Sequence, residues 1–223
     1  MGLDMYITKA PKIVGLSYKE MYAIDAKADL DSSEDRGKYS LEEWCGIKES
    51  ELPCKELCDK ALSYRHKSYP CWDTKKAYPR VSIFETVGYW RKANQVHKWF
   101  EDHITEGWPL DNCSPYYVPK LLIEELRDDC AKVLNKVVMM AGKVKNGSTL
   151  TALGFKPNYE SGYYVCNPEV CREIMPTTDG FFFGSTDYDQ YYVDDLRHTY
   201  ELCCKLLNET NFGQYELYYE ASW

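Results

Sequence analysis

The chain has 223 residues, 44% hydrophobic and 15% aromatic, with 27 Lys and Arg against 35 Asp and Glu for a net charge of −8. A chain of that length buries about 70 per cent of its unfolded surface, and the apolar content excludes a disordered polymer. No run approaches the roughly 18 apolar residues of a membrane span, and Met1 to Tyr6 lacks the charged-then-apolar order of an export signal, so a reduced cytoplasmic protein is expected.

In chain order, Leu3, Met5 and Ile7 alternate with polar or smaller neighbours, the period of a half-buried strand. Ser17 to Leu30 and Pro53 to Tyr64 carry helical spacing, with a loop over Asp31 to Gly37 between them. Val87 to His103 predicts an amphipathic helix with Tyr89, Ala93, Val96 and Phe100 on one face and Arg91, Gln95, Lys98 and Asp102 on the other. Pro119 to Ala141 predicts the longest helix. Its stripe is Leu122, Leu126, Cys130, Val133, Val137 and Met140 or Ala141, with Pro119 in the first turn and Gly142 as the stop.

Lys143 to Ser148 reads as a loop, with a turn at Asn146-Gly147. Tyr163 to Val165 and the aromatic run Gly180 to Gly184 read as short strands. A further helix is expected to start at Thr186, capping the N–H of Asp189 and burying Tyr188, Tyr192, Leu196, Cys203 and Leu207. Tyr215, Leu217 and Tyr219 then alternate with Glu216 and Glu220 as a closing strand. The expectation is a single α+β domain over 1–223, with a small, mainly antiparallel sheet that includes both termini and three or more amphipathic helices packed on it.

Ten cysteines suggest disulfides or metal, but none lies in the paired C-x-x-C knuckles of a zinc site, so they are read as small apolar residues. His66, His97, His103 and His198 lack metal-ligand spacing; His97, as a helix-flank residue, is read as hydrogen-bonded before it is read as an acid or base. Asp187 and Asp189 are the only candidate metal ligands, as a paired-carboxylate element after Gly184-Ser185. No Walker loop, dinucleotide fingerprint or nucleophile elbow is present, and no cofactor is expected.

Charge is unevenly placed. Lys60 to Lys98 holds nine Lys or Arg against Asp73 and Glu85, a net of +7, which leaves −15 for the remainder of the −8 chain. Aromatic rings are interleaved with those cations, the mixture that suits phosphates and bases. The candidate binding residues are Arg91, Gln95 and Lys98, with Trp90 and His97 beside them, and Lys75, Lys76, Arg80, Trp72 and Tyr78 earlier in the segment. The competing reading pairs these bases with the acidic stretch Glu173 to Trp223, which holds ten acids and two bases.

Four blocks belong together: Gly2 to Tyr6, Val87 to Phe100, Gly180 to Asp189 and Tyr218 to Trp223. They resemble a family of small proteins from bacteriophages and bacterial mobile elements that carries no established activity; the region Trp44 to Trp72 looks particular to this chain. The resemblance implies a phage setting in the host bacterial cytoplasm. It leads to the expectation of a non-enzymatic binding protein that antagonises a host protein or ribonucleoprotein complex, such as a defence complex. The alternatives are a protein sequestering RNA, DNA or a nucleotide through segment 60–98, and a metal-dependent enzyme of unrecognised type.

Overall fold

The computed structural model describes residues 2–33, 37–73, 75–152, 154–180 and 183–223. The fold is α+β. Its largest sheet contains β1 (Asp4–Pro11), β4 (Glu85–Arg91), β5 (Tyr116–Val118) and β8 (Tyr215–Ser222) in the order β4-β1-β8-β5. Both terminal strands therefore lie in one sheet. Hydrogen bonds just beyond the strand ends, Lys92 N to Leu3 O (2.7 Å) and Lys12 N to Gln214 O (2.8 Å), join starts to ends, as antiparallel neighbours require.

Contacts group the chain into two compact units, one of Met1–Ile7, Gly88–Thr210 and Tyr219–Trp223, the other of Thr8–Val87 and Asn211–Tyr218. The second unit contains α1 (Tyr18–Ser32), α2 (Leu41–Cys45), a 3-10 turn (Glu49–Glu51), α3 (Lys55–Leu62) and a small hairpin of β2 (His66–Ser68) and β3 (Arg80–Ser82). Ser17 starts α1 with a capping box, its hydroxyl accepting from Glu20 N (3.3 Å) while Glu20 Oε2 accepts from Ser17 N (2.7 Å). Ala10, Ile13, Met21, Ile24, Ala61, Ile83 and Tyr218 form this unit's core.

The first unit is built on α4 (Asn94–Ile104), α5 (Lys120–Leu134), α6 (Glu169–Ile174) and α7 (Gln190–Glu209). Helix α5 packs along α7, burying Leu122, Ile123, Leu126, Cys130 and Val133 against a stripe that includes Tyr192, Leu196, Cys203 and Leu206. Strands β6 (Met139–Thr151) and β7 (Gly154–Val165) pair as a long antiparallel ribbon whose far half, from Lys145 to Tyr159, is solvent-exposed wherever described.

Five expectations are corrected. Val87 to His103 is not one helix: β4 runs to Arg91, Lys92 takes a left-handed φ of 63°, and α4 begins only at Asn94. The expected helix to Ala141 stops at Leu134, so Val137 and Met140 leave its stripe, and Gly142 sits inside β6. Asn146-Gly147 is not a hairpin turn; it falls where the β6–β7 register shifts between Lys145 and Ser148, with Gly147 at φ 73°, a bulge that only glycine enters without strain. The last long helix starts at Gln190, not Thr186. In the run 180–184, Phe181 and Phe182 lie outside the described residues, and Gly180, Phe183 and Gly184 are not in a strand. No described helix is long and apolar enough to cross a membrane. None of the ten cysteines is in a disulfide.

Candidate functional site

Segment 66–82 folds into the β2–β3 hairpin, with Lys67 opposite Val81 and a loop over 69–79. Asp73 organises that loop. Its Oδ1 accepts from Lys75 N (3.1 Å) and its Oδ2 from Tyr78 N (2.9 Å), while its backbone oxygen accepts from Lys76 N (3.0 Å). Lys76 completes the turn in the left-handed region at φ 51°. With its carboxylate engaged by backbone, Asp73 leaves the lysines to solvent.

The loop's chemistry follows from that geometry. Lys67, Lys75, Lys76 and Arg80 are exposed, and among the described residues no carboxylate lies within ion-pair distance of any of them. Arg80 lies over the Trp72 ring, 5.8 Å from its centroid. Tyr78 is 79% exposed, and Tyr69 and Trp72 also reach the surface. A strand of phosphates and bases is suited by such a combination of cations without carboxylate partners and rings at the surface.

The hairpin is held at its base by one buried carboxylate. Asp25 on α1 accepts from Ser82 Oγ (2.5 Å) and from Ile83 N (3.2 Å). Arg65 approaches the same carboxylate with Nε at 2.8 Å, donates Nη2 to Val81 O at 2.8 Å, and pairs with Asp29. Burial raises the Asp25 pKa, and the Ser82 hydroxyl, the Arg65 charge and the Ile83 amide oppose that rise. Sequence reasoning missed this clamp because Asp25 and Ser82 stand 57 residues apart.

The other half of the expected surface does not form. Trp90 is buried, its indole N–H donating to Thr199 Oγ1 (2.9 Å). Gln95 is buried with Nε2 donating to Asp195 Oδ2 (3.1 Å), and His97 is buried with Nδ1 2.8 Å from the Tyr219 hydroxyl. Trp90 on β4 and Gln95 and His97 on α4 are thus packed into the unit and offer nothing to a partner. Lys98 pairs with Asp102 on its own helix, and Arg91 is exposed with Asp4 at 4.0 Å. The carboxylates that meet Arg65, Arg91 and Lys98 thus come from α1, β1 and α4, while Asp194, in the acidic C-terminal stretch, pairs with Arg197 beside it.

Asp189 is the N-cap of α7, its Oδ1 accepting from Tyr191 N (2.9 Å) and Tyr192 N (3.3 Å). Its Oδ2 is sealed from solvent without a hydrogen-bond partner, and burial raises the pKa of the group. Asp187 is exposed, with Oδ2 accepting from Ser185 Oγ (3.0 Å). The two carboxylates therefore have different tasks, one structural and one open. Among the described residues no cluster of three or more His, Cys, Asp or Glu could hold a metal ion. Neither a family model, nor a curated protein, nor a solved structure matches this chain.

Proposed function

We propose that this protein acts by binding rather than catalysis, and that its contact surface is the β2–β3 hairpin, with single-stranded nucleic acid as the ligand. The observation that carries the reading is the loop itself: four cations without carboxylate partners, interleaved with Tyr69, Trp72 and Tyr78 at the surface. Within the phage setting that the four sequence blocks imply, the strand belongs to a ribonucleoprotein of the host cytoplasm, and occupying it antagonises that complex.

A second reading, an acidic surface of a host protein, is favoured by the net charge of −8, which repels nucleic acid at long range. Purification from the bacterial host separates the two. An absorbance ratio above that of the protein alone, with RNA or DNA recovered from the sample, supports the strand. A single stoichiometric protein in the mass spectrum, without nucleic acid, supports the second reading. A preparation free of both at low salt counts against both.

A further inference from the structure

The first unit contains a cleft of about 800 Å³ at the base of the β6–β7 ribbon, bordered by α6 and by the segment that leads into α7. That volume falls within the range of sites that enclose a small molecule. Its frame is tied together. Val165 N donates to Tyr188 O (3.0 Å), and Tyr163 N donates to Gln190 Oε1 (2.9 Å). At Gly162 a Cβ would stand 2.5 Å from Gln190 Oε1 and 2.6 Å from Val144 Cγ2, so the ribbon and the start of α7 approach as closely as glycine allows.

Charge in the cleft is one-sided. Lys143 and Lys145 are two apart on β6 and so project from the same face of the strand. Both are exposed, and among the described residues neither has a carboxylate within ion-pair distance. Arg172 lies over the Tyr188 ring at 5.6 Å from its centroid, with the exposed Glu169 no nearer than 3.9 Å. Against these three cations stand two carboxylates, of which Asp189 is closed off beneath the helix it caps. Within the lining Asp187 opposes them from an open position, and Glu169, outside it, pairs with Arg172. The amides at the start of α7 are taken by Asp189, so a bound anion must rely on the side-chain cations.

Ring faces complete the lining. Tyr159 on β7 stands opposite Lys145 in the ribbon register, on the face of both lysines, and is 62% exposed, enough open surface for a planar group to stack, while Tyr164 projects from the other face. We propose that this cleft is a nucleotide site, with the phosphates on Lys143, Lys145 and Arg172 and the base against Tyr159. The site shares no residue with the hairpin and stands or falls independently of the function proposed for it.

Calorimetric titration with ADP, adenosine and inorganic phosphate tests the site in the full chain. ADP is expected to bind one to one, more tightly than either fragment, because it alone engages both the cations and the ring. The double change Lys143→Gln and Lys145→Gln should weaken ADP about tenfold or more, since each removes a charge-assisted contact at an exposed position. Arg172→Gln should do likewise and Arg172→Lys should recover part of the loss, with melting temperatures unchanged in all three. The hairpin change Lys75→Gln with Lys76→Gln should leave ADP binding intact. The proposal is overturned by no ADP binding at millimolar concentration, by inorganic phosphate binding as well as ADP, by indifference to the cleft changes, or by loss of binding in the hairpin variant.

Discussion

Replacing Asp25 with Ala removes the clamp that seats the hairpin on α1. In the native chain this carboxylate satisfies the Ser82 hydroxyl and the Ile83 amide, and it lies 2.8 Å from Arg65 Nε. The side chains of Asp25 and Arg65 are only 9% and 15% exposed, so the pair behaves as a buried one. Breaking a buried pair from one side costs about 3–5 kcal/mol. Arg65 keeps Asp29 and the Val81 carbonyl, which places the expected loss at the lower end, about 3 kcal/mol. Urea denaturation should show a lowered midpoint at unchanged slope. Asp25→Asn preserves shape and acceptor oxygen and should lose less than Ala. If Asp25→Ala costs under about 1 kcal/mol, the range of exposed pairs, the clamp contributes no more than a surface contact and the reasoning fails.

Three further outcomes follow from the same contacts. Burial pushes the pKa of Asp195 from its ordinary 3.8 up to about 6. Both folded and unfolded chains hold that proton below pH about 4, and only the folded chain holds it between about 4 and 6, so this group's contribution to stability falls as pH rises through that window and is flat above it. Asp195→Asn should therefore match the native chain near pH 4 and exceed it at pH 7 by up to about 3 kcal/mol in thermal melts; equal stability at both pH values refutes the assignment. At Gly88 an added Cβ would lie 2.6 Å from Leu202 Cδ2 and 3.2 Å from Ile7 Cβ, so Gly88→Ala should destabilise by about 1–3 kcal/mol in the same denaturation assay. Asp189→Ala should cost about 1 kcal/mol for the lost cap, and Thr186→Ala almost nothing, a contrast that reverses if the helix starts where sequence spacing placed it.

Much of the fold could be read from periodicity alone. Leu3, just before the first strand, and Met5 and Ile7 within it are fully buried as their alternation required, and Ser17 starts its helix through the Glu20 capping box. Misreadings arose where two signals overlapped. Tyr89, Ala93, Val96 and Phe100 mimic a helical stripe, yet they straddle a strand and a helix joined by the left-handed Lys92. Val137 and Val138 follow a good helix pattern with β-branched residues, and the chain turns into β6 directly afterwards. Thr186 and Asp189 competed for one cap, and the carboxylate at the true helix boundary prevailed.

The candidate site divides the same way. Composition pointed to Lys75, Lys76, Arg80, Trp72 and Tyr78, because cations and rings dense in sequence remain dense on a short hairpin. It could not separate them from Trp90, Gln95 and His97, whose burial depends on α7 and β8 a hundred or more residues away. The cleft cations were hidden for another reason. Lys143-Val144-Lys145 alternates like a strand, but the neighbouring Asn146-Gly147 carries the stronger turn signal.

Fluorescence anisotropy with a labelled single-stranded oligonucleotide across a salt series measures directly whether the hairpin loop grips a nucleic-acid strand. Saturable binding that weakens with salt is expected, with a log–log slope shallower by about 1.4 in the Lys75→Gln and Lys76→Gln double variant and a further loss of about 1–3 kcal/mol in Tyr78→Ala. Binding with the same salt slope in the native chain and the double variant would contradict that grip.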